Sequence, residues 1–282
     1  MLTFLGLVAR LPLPLLHLLG AALGLLALLR GRHRRVIVDN LRQAGLYSPL
    51  RLMRVGMELG KMLVEMPAIW LRPLDEVTGW VRAVSGWEHV EAGLQRGNGL
   101  IVLGPHLGCL ELAGLYLASR IPMIALYRRP RQAWFHELMQ QGRSGTLGRA
   151  VEPNLAGVRA LLKALKQNRA AWVLPDQHAT DGDGIWTPFF GRWAYMPTLL
   201  YRLHDKTQAA LLLFQCERLS WGRGYRLVIE ALPDLPTDTA SACRIVNRTL
   251  EERIRQRPEQ YLWSYRLHRI SGNQRPPEGP AL

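Results

Sequence analysis

The chain has 282 residues, which supports one large domain with a real core plus an appendage. Lysine and arginine outnumber aspartate and glutamate by 36 to 22, a formal net charge of +14, so the surface favours anionic partners: phosphate groups, anionic lipid or an acidic carrier protein. Three widely spaced cysteines, Cys109, Cys216 and Cys243, with no C-x-x-C pair, argue against a disulfide framework or structural zinc site and fit a reducing compartment.

Residues 11–29, "LPLPLLHLLGAALGLLALL", carry no formal charge across 19 positions and are followed at once by "RGRHRR". That length and composition predict a helix that spans or deeply enters a bilayer, with the basic end held on the cytoplasmic side. A cleaved signal peptide fits poorly, because the basic cluster follows the apolar run and no A-x-A-like site ends it. Pro12, Pro14 and His17 keep a buried core helix open as the alternative. The expected division is an anchor helix over 1–30, a catalytic domain over 31–270 and a disordered tail over 271–282.

Residues 36–70 read as one amphipathic helix, with Leu52, Val55, Met62, Leu63 and Met66 among Arg51, Arg54, Glu58 and Lys61, ended by Pro67 and Pro73. Beyond residue 80 short apolar runs alternate with helical stretches. "LIVL" (100–103), "PMIALY" (122–127), "AAWVLP" (170–175), "AALLLFQC" (209–216) and "YRLVIEAL" (225–232) are the expected strands, and 109–119, 132–142, 155–168 and 239–257 the expected helices. The alternation predicts an α/β fold with a mainly parallel central sheet flanked by helices, its last two strands forming an antiparallel hairpin across "ERLSWGRG".

Ligands of an open α/β sheet gather at the carboxyl ends of its strands, and "GPHLGCLE" places His106 just beyond the end of "LIVL". On one continuous helix His106 and Glu111, five residues apart, would be turned about 140° from each other. They can meet only if His106 lies in a loop shaped by Pro105 and Gly108, with Glu111 in the first turn of the next helix. Glu111 could then orient one imidazole nitrogen, leaving the other to act as general base on a hydroxyl. A histidine that merely caps its loop is the plain alternative. A Cys109–His106 nucleophilic pair and a metal site of His106, Glu111, Asp176 and His178 find no supporting pattern, and "DGDG" (181–184) lacks the ligand spacing of a calcium loop.

Other candidates lie at strand ends. Arg128, Arg129 and Arg131 follow "PMIALY", with Arg143 one short helix later, as possible anion clamps. Asp176 and Gln177 in "LPDQ" end a third strand, placed to position an acceptor or support His106. "TPFFGR" sets Phe189 and Phe190 beside Gly191 and Arg192, either as core or where an acyl chain meets an anionic head group.

Four blocks in order, "GPHLGCLE", "LYRRPRQAWFHELMQQGR", "AAWVLPDQHATDGDGIWTPFFGRWAYMPTLLYRL" and "PEQYLWSYRLH", resemble the late-acting lipid A biosynthesis acyltransferases of the wider glycerolipid acyltransferase superfamily. The likeness runs over nearly the whole chain and implies an enzyme of the bacterial inner membrane, its catalytic domain on the cytoplasmic face. It implies transfer of a fatty acyl group from acyl carrier protein to a hydroxyl of a Kdo-bearing lipid A precursor, with no metal and no dissociable cofactor. The family's histidine and acidic residue fall on His106 and Glu111; Arg128, Arg143, Asp176, Gln177, Gly191 and Arg192 are the expected substrate-binding residues. "SYRLHRI" replaces the family's strongly basic stretch after "PEQYLW". An acyltransferase of ornithine or mannoside lipid, or a non-catalytic anionic-lipid-binding protein, are the rival readings. Nucleic acid is not an expected partner, because aromatics are not interleaved on a basic strand face.

Overall fold

The structure, a computed structural model, describes residues 2–127, 129–130, 132–270, 275–279 and 281. Helices α1 (Leu2–Ala9), α2 (Leu13–Ala27), α3 (Gly31–Gln43), α4 (Pro49–Leu71) and α5 (Leu74–Thr78) precede β1 (Val81–Ser85). An alternating run follows: α6 (Trp87–Gln95), β2 (Leu100–Leu103), α7 (Leu110–Ala118), β3 (Met123–Leu126), α8 (Ala133–Arg143), β4 (Gly148–Val151), α9 (Leu155–Lys166) and β5 (Ala170–Trp172). Then come β6 (Gly184–Phe189), β7 (Arg192–Pro197), α10 (Leu199–Thr207), β8 (Ala210–Arg218), β9 (Tyr225–Ala231) and α11 (Thr239–Gln256).

A seven-stranded sheet runs in the order β1-β9-β8-β2-β5-β3-β4. Strands β8, β2, β5, β3 and β4 are mutually parallel, and β9 pairs antiparallel with β8. The expected mainly parallel sheet and closing hairpin are therefore present. Every residue of "LIVL" is buried because both faces of β2 are covered: Ile101 and Leu103 enter one apolar cluster, Leu100 and Val102 the other. Sequence periodicity missed β1 and β4. Both lie at sheet edges and are only partly buried, so neither carries a continuous apolar run.

The single helix expected over 36–70 is two. Helix α3 stops at Gln43, Gly45 takes a positive φ of 68°, and Ser48 caps α4 by accepting from the Arg51 amide at 3.1 Å, with Pro49 in the first turn. Pro67 does not end α4. The helix continues to Leu71, where Ala68, Ile69 and Trp70 are buried and tertiary packing outweighs the lost amide.

Helix α2 is sided in an unusual sense. Leu13, Leu16, His17, Gly20, Ala21 and Gly24 face the protein, while Leu15, Leu18, Leu19, Leu23, Leu26 and Leu29 along α2 and its C-terminal end are exposed. Small residues turn inward because α2 meets α4 backbone to backbone: a Cβ on Gly24 would lie 1.9 Å from the Gly56 carbonyl oxygen, and one on Gly60 1.9 Å from that of Gly20. At 15 residues α2 is about 22 Å long, short of a hydrocarbon core of about 30 Å. No single helix among the described residues is long and apolar enough to cross a membrane; α2 and α3 together pass on composition, but they bend by 96°. In the expected tail, residues 271–274, 280 and 282 lie outside the described residues, and the Gly279 carbonyl accepts from the Trp193 indole at 3.1 Å.

Candidate active site

His106 sits in the loop between β2 and α7, and Glu111 in the first turn of α7. The loop is stitched on both sides. The Cys109 amide donates to the Cys216 carbonyl at 2.8 Å, the Gly108 amide to that of Gln260 at 3.0 Å, and the Leu262 amide to that of His106 at 3.0 Å. Gly108 is required here: its φ is +69°, and a Cβ would lie 2.0 Å from the Cys216 carbonyl oxygen.

The partner of His106 is Asp176. One carboxylate oxygen accepts from the His106 amide at 2.8 Å, and the other lies 2.7 Å from Nδ1. Asp176 is buried whereas the imidazole is partly open, and His106 Nε2 has no hydrogen bond among the described residues. Tyr261, which bridges to Leu107, also hydrogen-bonds Asp176; burial first, then the Asp176 charge, pushes its phenol well above the usual range and keeps it a donor.

The expected contact between His106 and Glu111 is replaced by a different one. Arg143 at the end of α8 grips Glu111 with Nε to Oε1 at 2.8 Å and Nη2 to Oε2 at 2.7 Å, and the Trp70 indole donates to Oε1 at 2.9 Å. The carboxylate, held by a two-pronged guanidinium and an indole, makes no hydrogen bond to the imidazole. The approach depends on Gly142, whose Cβ would fall 2.5 Å from the Trp70 Cα. Burial disfavours the Arg143 charge, but the hydrogen bond and charge of Glu111 outweigh it and hold the guanidinium protonated.

Glu111 and Arg143 stand at one side of a cavity of about 710 Å³. Leu115, Ala118, Met123, Leu126, Trp172 and Leu174 form its apolar part, Gln140, Ser144, Thr146 and Arg149 its polar part, and Gly114, Gly148 and Ala150 leave it room. His106 does not line it, although Leu110 and Glu111 on one side and Leu174 on the other lie close to His106 and Asp176 in the chain. The volume is in the range of small-ligand pockets.

Beneath the His106 loop lies a buried ion network that the sequence reading missed. Arg218 Nε lies 2.9 Å from Glu65 Oε2, and its Nη2 donates to the Gly108 carbonyl at 2.9 Å. Tyr225 donates to Glu65 at 2.8 Å, and His17 of α2 lies 3.2 Å from it. Burial alone would raise the Glu65 carboxyl, but the Arg218 charge and the hydrogen bonds from His17 and Arg218 hold it well below the usual range. Nothing in the spacing of His17, Glu65 and Arg218 foreshadows their meeting.

The remaining candidates separate. Gln177 is half-buried beside Asp176. Gly191 belongs to the two-residue turn between β6 and β7, with φ of 50° at Phe190 and 68° at Gly191, and Phe189 and Phe190 are buried in the core. Arg192 faces a second recess, lined by α3 and residues 266–270. Arg128 and Arg131 lie outside the described residues. Cys109 is buried and its thiol is pushed well up, by burial first and then by the Glu65 charge, which is the opposite of nucleophile activation. Asp183 donates its amide to the Thr180 carbonyl at 3.0 Å, so "DGDG" forms a turn leading into β6. No group of three His, Cys, Asp or Glu among the described residues is placed to hold a metal ion.

The family profile described as bacterial lipid A biosynthesis acyltransferase matches residues 1–269. Lipid A biosynthesis palmitoleoyltransferase of Escherichia coli (strain K12) is 31% identical over 210 residues, covering 74% of this chain and 68% of that protein. The lauroyltransferase of the same organism is 27% identical over 282 residues, covering 94% and 90%. A phosphatidylinositol mannoside acyltransferase of Mycobacterium tuberculosis (strain CDC 1551 / Oshkosh) is 29% identical over 150 residues, covering 50% and 46%.

Proposed function

The chain belongs to the bacterial lipid A biosynthesis acyltransferase family, and from that premise we propose that it moves a fatty acyl group from an acyl carrier protein thioester to a hydroxyl of a Kdo-bearing lipid A precursor. The observation that carries the mechanism is the 2.7 Å contact between His106 Nδ1 and buried Asp176, with Nε2 left open. Asp176 fixes the tautomer with Nδ1 protonated, so Nε2 is the base. Nε2 removes the proton of the acceptor hydroxyl as its oxygen attacks the thioester carbonyl carbon. The tetrahedral intermediate collapses, the carbon–sulfur bond breaks, and the imidazolium returns its proton to the departing thiolate. The products are the acyl ester and the free carrier thiol.

In this reading Glu111 is a positioning residue. It holds Arg143 beside the 710 Å³ cavity, whose apolar part takes the donor chain at about 0.8 kcal/mol per buried methylene. The exposed leucines of α2 rest in the apolar layer of the inner membrane on its cytoplasmic face, because a contiguous leucine surface is costly in water.

The test is acyl transfer from a panel of acyl carrier protein thioesters to a Kdo-lipid A precursor in detergent, using wild type, His106→Ala, Asp176→Asn and Glu111→Gln. Transfer by wild type with loss in His106→Ala is expected. Retention of most activity by His106→Ala sinks the mechanism. Transfer by wild type to mannosylated phosphatidylinositol, and not to the lipid A precursor, moves the acceptor to the mannoside lipids.

A further inference from the structure

A second recess, of about 690 Å³, shares no lining residue with the cavity beside Glu111. Arg32 and Arg35 of α3, Arg192 of the β6–β7 hairpin, and Arg266 and Arg269 all line it, opposed by one carboxylate, Asp39. None of these five guanidiniums has a hydrogen-bonded or ion-paired partner among the described residues. The arginines beside the His106 loop, by contrast, are ion-paired: Arg143 with Glu111 and Arg218 with Glu65. Five like charges around one hollow, opposed by a single carboxylate, set up a positive potential that favours an anion there.

We propose that this recess binds the net-anionic, phosphate-bearing head group of a membrane lipid. Position selects that ligand among anions. The exposed leucines of α2 end at Leu29, two residues before Gly31 opens the recess, and the chain bends by 96° between α2 and α3. With those leucines in the acyl layer, the arginines stand at the level of the head groups. The wall is fixed: the Asn40 amide donates to the carbonyls of Trp263 and Tyr265, both at 2.7 Å, pinning α3 to the segment that brings in Arg266 and Arg269. Leu262, at the start of that segment, holds the His106 carbonyl, so the recess and the catalytic loop share a support. The head group can be that of the bulk phospholipid or of the acceptor itself. The inference rests on the reading of α2 as membrane-embedded.

The test uses the full-length protein and an Arg32→Gln/Arg35→Gln/Arg269→Gln variant, all three being exposed positions, with thermal unfolding as the folding control. Binding to neutral phosphatidylcholine vesicles and to vesicles that also contain phosphatidylglycerol is measured by flotation. In parallel, KM for acceptor and for acyl donor is measured in uncharged detergent. For bulk lipid, wild type binds the anionic vesicles more tightly and the variant loses roughly 100-fold at low salt. For the acceptor, the variant raises acceptor KM tenfold or more while donor KM and kcat hold. A variant that changes neither quantity overturns the proposal, as does a rise in donor KM alone, which would mark a protein-docking surface. Wild-type binding that is equal on both vesicles, with acceptor KM unmoved in the variant, sinks the recess and leaves the embedding of α2 intact. Failure of wild type to bind either vesicle removes the embedding, and acceptor KM then decides the recess.

Discussion

Asp176→Asn separates the two carboxylates that the sequence offers to His106. Asp176 takes the His106 amide on one oxygen at 2.8 Å and Nδ1 on the other at 2.7 Å. Asparagine keeps the shape but has a single acceptor oxygen. If that oxygen stays on the backbone amide, the side-chain NH₂ faces Nδ1, the ring adopts the Nε2-protonated tautomer, and Nε2 can no longer take a proton. If the amide flips, its NH₂ opposes the backbone N–H and the loop loses a hydrogen bond instead. Either way the negative charge that stabilises the imidazolium is gone. Loss of general-base function is worth about 10² to 10⁴ in rate, and a fall in kcat of about 10³ corresponds to roughly 4 kcal/mol of barrier. Stability should fall by only about 1–3 kcal/mol, the cost of one mismatched buried polar contact. The assay is steady-state acyl transfer with kcat and KM resolved, beside Glu111→Gln and a melting curve for each variant. Glu111→Gln weakens the clamp on Arg143 and should act mainly on KM. A fall of 10³ in kcat for Glu111→Gln, with Asp176→Asn within tenfold of wild type, would refute the assignment.

Donor chain length should follow the cavity: a Cβ on Gly114 meets nothing within 4 Å, so Gly114→Leu fills open space and should shift preference to shorter thioesters, about fourfold per excluded methylene in competition assays. Unchanged preference would place the chain elsewhere. Glu65→Gln leaves the buried Arg218 charge with only the more distant Glu58 carboxylate, 3.7 Å from its Nη1, and should cost about 3 kcal/mol in denaturant unfolding. Because the folded Glu65 carboxyl lies below its unfolded value of about 4.3, its contribution is complete above that pH and is lost as pH falls below it. Wild type should therefore lose stability below about pH 4 more steeply than Glu65→Gln; parallel curves would contradict this. Gly60→Ala drives a Cβ to 1.9 Å from the Gly20 carbonyl oxygen between the two helices and should lower stability by about 1–3 kcal/mol, whereas Gly6→Ala, inside α1 with open space around it, should gain up to about 1 kcal/mol in the same thermal melts.

The amino-acid sequence alone determined the elements whose signal is local. "LIVL" and "AALLLFQC" announce β2 and β8 because a strand covered on both faces must be apolar throughout, and the placement of His106 in a loop with Glu111 in the next helical turn follows from Pro105, Gly108 and the 3.6-residue period. The edges β1 and β4 carry weaker local signals because water already satisfies part of their surface. Only tertiary structure decided which carboxylate hydrogen-bonds His106. Glu111 is five residues away and Asp176 seventy, yet Arg143 and Trp70 claim the first while adjacent parallel strands bring the second to the same sheet end. Only tertiary structure, too, turned the glycines of α2 inward and its leucines outward. A helix apolar on every side has no preferred face until another backbone, here the glycines of α4, approaches closely enough to choose one.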